Sequence, residues 1–324
     1  MKKRVILYIF FFLLSLTGCR KEFLIDNPTE GELCLVCYPG MRDTTIIQLY
    51  KTVPVGGRYE GSPYLQSANI AFSVDGVWQK VEQAAARVGT VPKGCWFVAE
   101  KVKNGAKVDI SASVASETSV SASTNVPSMP PPFEYSITKD TWTDLTIEFD
   151  DDPATEDYYG VAVVCERTVI SATGRKTETR HLSLAEDGYG TQEIAIIRDY
   201  YDAGFTGWSL WPQRTGLYGV RVWHDTKFNG KRASLSARFG PANFSIDAKQ
   251  AQEIISIKVR LYKFTEEFYK YLTALDYQEH NDYATYGIIP MKLSFTNVTG
   301  GCGILAGWSV REAEWVTYWQ NNNW

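Results

Sequence analysis

The sequence predicts an all-β protein of two β-sandwich domains, the second larger and carrying one docked helix. Three observations support this. Tyr, Trp and Phe make up 14% of the chain, and such residues suit pleated, half-buried surfaces. Short apolar–polar alternations recur between turn signals along most of the length. A proline run, Val126-Pro127-Ser128-Met129-Pro130-Pro131-Pro132, then interrupts them. Proline lacks a backbone donor and favours extended geometry, so residues 127–132 read as a semi-rigid linker between domains at 31–126 and 133–324.

The N-terminus gives an address. Lys2, Lys3 and Arg4 precede an apolar run from Val5 to Leu16, followed by Thr17-Gly18-Cys19. A basic start, a short apolar core and small residues at the cut make a secretory signal. The cysteine directly after the cut makes it a lipoprotein signal. Residues 1–18 are thus expected to be removed, Cys19 to carry lipid, and residues 19–30 to act as a tether. The run is shorter than the roughly 20 residues a bilayer-spanning helix needs. Loss of Lys2, Lys3 and Arg4 takes the net charge from −4 to −7. No basic block stands out, which argues against nucleic acid as a partner.

In the first domain, Glu32 to Tyr38 reads as a strand. Ser67 to Val74 and Val77 to Val81 flank Asp75-Gly76 as a hairpin. Cys95 to Val102 and Lys107 to Val114 flank Asn104-Gly105, a strong hairpin signal. Val108, Ile110, Ala112 and Val114 then face one way, and Asp109, Ser111 and Ser113 the other. Val120, Ala122, Thr124 and Val126 repeat the pattern after a turn near Ser116-Glu117. This is half-buried antiparallel sheet, as in a sandwich.

In the second domain, strands are expected at Phe133 to Thr138, Asp144 to Phe149, Tyr158 to Ile170 and Lys176 to Leu184, with a turn at Thr173-Gly174. Leu217 to His224, Ser234 to Phe239 and Ile254 to Leu261 follow. Phe268, Tyr271, Leu272 and Leu275 then recur at helical spacing, so a helix near 265–278 should dock one apolar stripe on the sheet. Thr265 is placed as its N-cap, with Phe264 and Tyr269 as a hydrophobic staple. Strands are expected to return from Gly303 to Val316, ending in a polar tail.

Six cysteines occur: Cys19, Cys34, Cys37, Cys95, Cys165 and Cys302. With Cys19 lipidated, five remain and cannot all pair; their pairing is left open. Cys34 and Cys37 form a C-x-x-C, but on a strand their thiols point to opposite faces, and no second pair or nearby His completes a zinc site. Only His181, His224 and His280 are available as bases near neutral pH. No G-x-S-x-G, H-E-x-x-H or phosphate loop appears. No catalytic residues, metal or cofactor are assigned. Asp150-Asp151-Asp152-Pro153 with Glu156-Asp157 is weighed as a calcium loop and read as an acidic turn, since its spacing is not that of an EF-hand. Tyr201, Phe205, Trp208, Trp211 and Tyr218 crowd a glycine-rich stretch. They are the candidate ligand platform for a small molecule, peptide or glycan.

Several stretches in order resemble one family: "SANIAFSV", "KVKNGAKVDISASV" with "SASTNVP", "FDDDPATEDYYGV", "VRLYKFTEEFYKYLTAL" and "NVTGGCGILAGWSV". Together with Cys19-Arg20-Lys21-Glu22, they resemble the Bacteroidetes outer-membrane lipoproteins called domain of unknown function 4249. The likeness covers nearly the whole mature chain; Cys302 in the glycine corner and Tyr200 to Trp211 depart from it. The resemblance implies an Ig-like first sandwich and association with TonB-dependent outer-membrane transporters. Lys21-Glu22 and Asp26 also resemble a surface-export signal. The expected function is a surface-exposed, lipid-anchored, non-enzymatic binding or accessory partner of such a transporter. A cell-surface adhesin or assembly subunit is the alternative, and a hydrolase a third.

Overall fold

The computed structural model describes residues 31–40, 43–52, 64–114, 119–139, 143–171, 174–182, 194–196, 221–239, 252–279 and 295–321. The signal, Cys19, the tether and the Tyr201 to Tyr218 platform lie outside the described residues. The first half supplies β1 (Leu33–Cys37), β2 (Thr45–Lys51), β3 (Asn69–Val74), β4 (Val77–Trp78), β5 (Glu82–Gln83), β6 (Trp96–Val98), β7 (Lys107–Ser113) and β8 (Val120–Asn125). The second supplies β9 (Phe133–Lys139), β10 (Thr143–Asp150), β11 (Tyr158–Ser171), β12 (Gly174–Leu182), β13 (Ile194–Ile196), β14 (Arg221–His224), β15 (Arg232–Phe239) and β16 (Gln252–Phe264). The helix α1 (Glu266–Glu279) is followed by β17 (Cys302–Leu305), β18 (Trp308–Glu312) and β19 (Val316–Asn321). The chain is mostly β, as its composition predicts.

The described residues form four sheets, with strand orders β17-β1-β2-β6-β5, β4-β3-β7-β8, β15-β10-β9 and β13-β14-β11-β16-β18, the last also joined by β12 and β19. They stack through three apolar layers. Leu35, Cys37, Ile47 and Leu49 of the first sheet meet Phe72, Val108, Ile110 and Val120 of the second. Leu145, Ile147 and Phe149 of the third meet Tyr159, Val161, Val163, Val259 and Leu261 of the fourth. Between the first and fourth sheets, α1 places Phe268, Tyr271 and Leu272 against Cys34, Val36, Tyr262, Phe264 and Trp308. β1 and β11 are therefore buried on both faces, which is why "LCLVC" and "YYGVAVVC" are unbroken apolar runs.

Phe268 anchors the helix. It is fully buried, with ring centroids 4.9 Å from Trp308, 5.5 Å from Phe264 and 5.6 Å from Tyr38. Burying such a side chain contributes about 1.5–3 kcal/mol. Thr265 caps as expected: its Oγ1 accepts from the Phe268 amide at 3.2 Å. The staple differs. Phe264 packs on Phe268, while the ring of Tyr269 lies 4.9 Å from Tyr158 of β11.

One expected strand arrangement is overturned. Asn104-Gly105 does make a turn, with Gly105 at φ 84°, but its arms do not form a hairpin. β6 pairs with β2 and β5, and β7 with β3 and β8. The segment between Val98 and Lys107 crosses from one sheet to the other, with Val102 and Ala106 buried in the layer between. The strands expected from Gly303 onward do form, in two different sheets. β17 pairs in parallel with β1 and β18 antiparallel with β16, the chain changing sheets at Ala306-Gly307. At Gly307 a side chain would strike the Pro39 carbonyl.

Candidate functional site

The outer face of the second sheet carries a trough of about 400 Å³. Its floor follows from strand alternation. Apolar Val108, Ile110 and Ala112 turn inward, so Asp109 and Ser111 of β7 turn out, beside Ser121 and Ser123 of β8. Register sets these side by side: Asp109 opposite Ser123, Ser111 opposite Ser121. Small residues leave the floor low. Thr299 adds a wall through paired backbone bonds with Ser121 (3.0 and 2.8 Å). Asn297 stands beside it, its amide spanning the Leu305 N–H and C=O at 2.9 and 2.7 Å.

Trp78 closes the other end. Asp75 (φ 50°) and Gly76 (φ 78°) are both left-handed, the geometry of a tight type I′ hairpin, in which only glycine and a few polar residues are comfortable. The Lys107 amide donates to the Asp75 Oδ1 at 2.9 Å and fixes the turn to β7. The turn presents Trp78 with 70% of its surface exposed. A large apolar face held in water beside hydroxyls and a carboxylate is the informative kind of exposure. The Ser123 hydroxyl, and then Lys107 with its ammonium 3.3 Å away, hold the Asp109 carboxyl below its ordinary range. Asp109 is thus a fixed acceptor at the trough floor.

A second cluster lies where β10 meets β11. The acidic stretch is a turn between strands, as expected, but not a wholly exposed one. Asp151 and Asp157 are buried and meet Asp225, which follows β14, with oxygens within 4.8 Å of one another. Tyr159 donates its hydroxyl to Asp151 (2.7 Å) and Asp157 (3.2 Å), and the Gly230 amide donates to Asp151 (2.9 Å). The Asp157 amide donates to Asp225 Oδ2 (2.7 Å). The Lys263 ammonium sits 2.6 Å from Asp157 Oδ2 and is itself nearly buried. Burial, with the Asp151 and Asp157 charges added, pushes the Asp225 carboxyl up; the Asp157 amide and His224 oppose it. These oxygens have the separation of a cation site, but Lys263 already supplies a cation there. Lys263, Tyr159 and backbone amides tie these segments together through the carboxylates, while the buried Asp225 Oδ1 has no hydrogen-bond partner. His224 stacks on Tyr158, centroids 4.7 Å apart, and pairs with Glu156 at 2.8 Å.

Sequence reasoning missed Trp78, Asp109 and the serines as a site. The alternation that faces Asp109 and Ser111 outward was visible, but nothing local showed that β8 and Thr299 would lie alongside. Asp225 joins Asp151 and Asp157 from a distant segment and carried no signal at all. Cys34 and Cys37 do face opposite layers.

A stack of β-sheets with one apolar helix between them and an open polar trough on its outer face is the class these features define. The chain belongs to the family described as domain of unknown function (DUF4249), whose family model matches residues 20–314. No curated protein matches it.

Proposed function

We propose that this chain is an outer-membrane lipoprotein, held at the cell surface by lipid on Cys19, that serves a TonB-dependent transporter as a non-enzymatic binding partner. In this reading the first two sheets form an Ig-like sandwich, the later strands a larger one, and residues 127–132 the junction. The observation that carries the binding role is the trough: an exposed indole beside hydroxyls and a fixed carboxylate suits a sugar ring, which stacks on an aromatic face and hydrogen-bonds at its edge. The aromatic stretch at Tyr201, Phe205, Trp208, Trp211 and Tyr218 would add a second contact. Affinity purification of the lipidated chain from native membranes in mild detergent tests the partnership. A transporter barrel should co-purify, and a chain recovered alone in repeated preparations would overturn the proposal. On immobilised glycans, Trp78→Ala should bind about tenfold more weakly, the loss of about 1.4 kcal/mol of stacking.

The adhesin alternative has one observation in its favour. β9 ends the third sheet, and no strand pairs with its outer edge among the described residues. Such an edge can accept a strand from another chain.

A further inference from the structure

The five described cysteines are distributed over four separate apolar clusters. Cys165 lies in one, Cys37 in another, Cys95 in a third, while Cys34 and Cys302 share the fourth. These last two are register partners on the parallel strands β1 and β17. Neighbouring strands run about 4.7–4.9 Å apart, inside the Cα separation that disulfides span. The flanking glycines bring the strands this close. Side chains at Gly301 and Gly303 would collide with the carbonyl oxygens of Leu33 and Leu35, and Gly303 sits at φ 118°. Between them, Cys302 turns its side chain to the face that carries Cys34. The two sulfhydryls hydrogen-bond to each other, which lowers Cys34 against the opposing effect of burial and, reinforced by burial, raises Cys302. Cys34 is buried and Cys302 only partly so, which gives an exchange partner one sulfur to approach.

We propose that Cys34 and Cys302 are a disulfide site, closed by exchange with an external disulfide, that clamps β17 onto β1. The hydrogen-bonded pair loses one proton, and the more exposed Cys302 sulfur attacks as the thiolate on one sulfur of an oxidised glutathione or oxidoreductase disulfide, releasing one thiol. Cys34 then attacks the Cys302 sulfur, forming the intramolecular bond and releasing the second thiol. Two protein thiols are oxidised and one external disulfide is reduced, with both protons ending on the released thiols. The inference rests on the extracytoplasmic location proposed above only for the presence of an oxidant.

The test uses the full mature chain, reduced and then equilibrated with glutathione buffers of increasing oxidised fraction, alkylated and digested for peptide mass mapping. A cross-linked peptide joining Cys34 to Cys302, lighter by two hydrogens than its parts, should accumulate. Oxidised protein should melt higher than reduced protein, and Cys302→Ser should abolish that difference. Separate alkylation of both residues at every ratio, or Cys34 joined to another cysteine, would overturn the proposal. A link that forms in the purified chain but is missing from protein harvested from envelopes with thiols blocked supports the site and counts against the location instead.

Discussion

Lys263→Met separates a paired charge cluster from an unpaired one. The Lys263 ammonium lies 2.6 Å from Asp157 Oδ2 with both side chains less than a tenth exposed, and it also donates to Ser128 Oγ at 3.2 Å. At an effective dielectric of 20, opposite unit charges at that distance attract by about 6 kcal/mol. Methionine fills similar volume and spares the desolvation of the ammonium, so the net loss is smaller. Stranding a buried carboxylate costs about 3–5 kcal/mol. Here Asp157 would be left beside Asp151 and Asp225 with no cation in contact. The variant should lose that amount in urea unfolding near neutral pH. Removing the ammonium favours the neutral form of the carboxyls around it, and the Asp225 carboxyl is already pushed up by burial. Protonation therefore favours the folded form of the variant, and the deficit should shrink as pH falls. Asp157→Asn in the Lys263→Met background removes the stranded charge and should restore more than half the loss. A variant within about 1 kcal/mol of wild type near neutral pH, or a deficit unchanged in acid, would refute the reasoning.

Two further outcomes follow from neighbouring groups. Asp225→Asn keeps an acceptor for the Asp157 amide and removes a carboxylate whose pKa is raised by burial. An acid whose folded pKa is raised costs nothing below its unfolded pKa; the cost builds as pH rises from there and is complete above the folded value. The variant should therefore gain about 1 kcal/mol near neutral pH and converge on wild type in acid, as read by thermal melts across pH. Thr265→Ala should cost about 2 kcal/mol, because Oγ1 caps the Phe268 amide and also accepts from Gly307 at 3.4 Å inside the core. Thr265→Ser should retain most of it, and equal denaturation midpoints for the Ala and Ser variants would contradict the cap.

The fold was legible wherever one strand decides its own faces. Ile255, Ile257, Val259 and Leu261 alternate in the sequence and are buried in the structure; the helix stripe and its cap follow from equally local chemistry. What failed was partner choice. Asn104-Gly105 specifies a turn, but a turn only forms a hairpin when both arms prefer each other to other strands. Lys107–Ser113 instead pairs with β3 over Val108 to Ser113 and with β8 over Lys107 to Ala112, and Trp96–Val98 pairs with β2. The same limit hid the trough, whose floor needs two strands and whose wall comes from Thr299, far along the chain. Asp151, Asp157 and Asp225 show it again: two carboxylates of a turn that reads as solvated are buried, Asp157 against the distant Lys263 and both against the nearby Tyr159 hydroxyl.

The placement of β17 bears on how an anchored chain would carry load. On the proposed attachment, the tether ends at residue 30 and pulls directly on β1. That strand is paired on one side with β2, from Leu33↔Lys51 to Cys37↔Ile47, and on the other with β17, from Cys34↔Cys302 to Cys37↔Leu305. A pull along β1 shears both ladders at once, so their hydrogen bonds share the force rather than opening one by one. One ladder comes from the far end of the chain, and until it arrives β1 presents an open edge, the kind of surface that invites pairing with other chains. The glycines at 301 and 303 let the late strand seat against the Leu33 and Leu35 carbonyls, and a Cys34–Cys302 bond would make that seating last. On that attachment, the strand next to the tether would be protected by a segment from far along the chain, so its resistance to load would wait on the seating of β17.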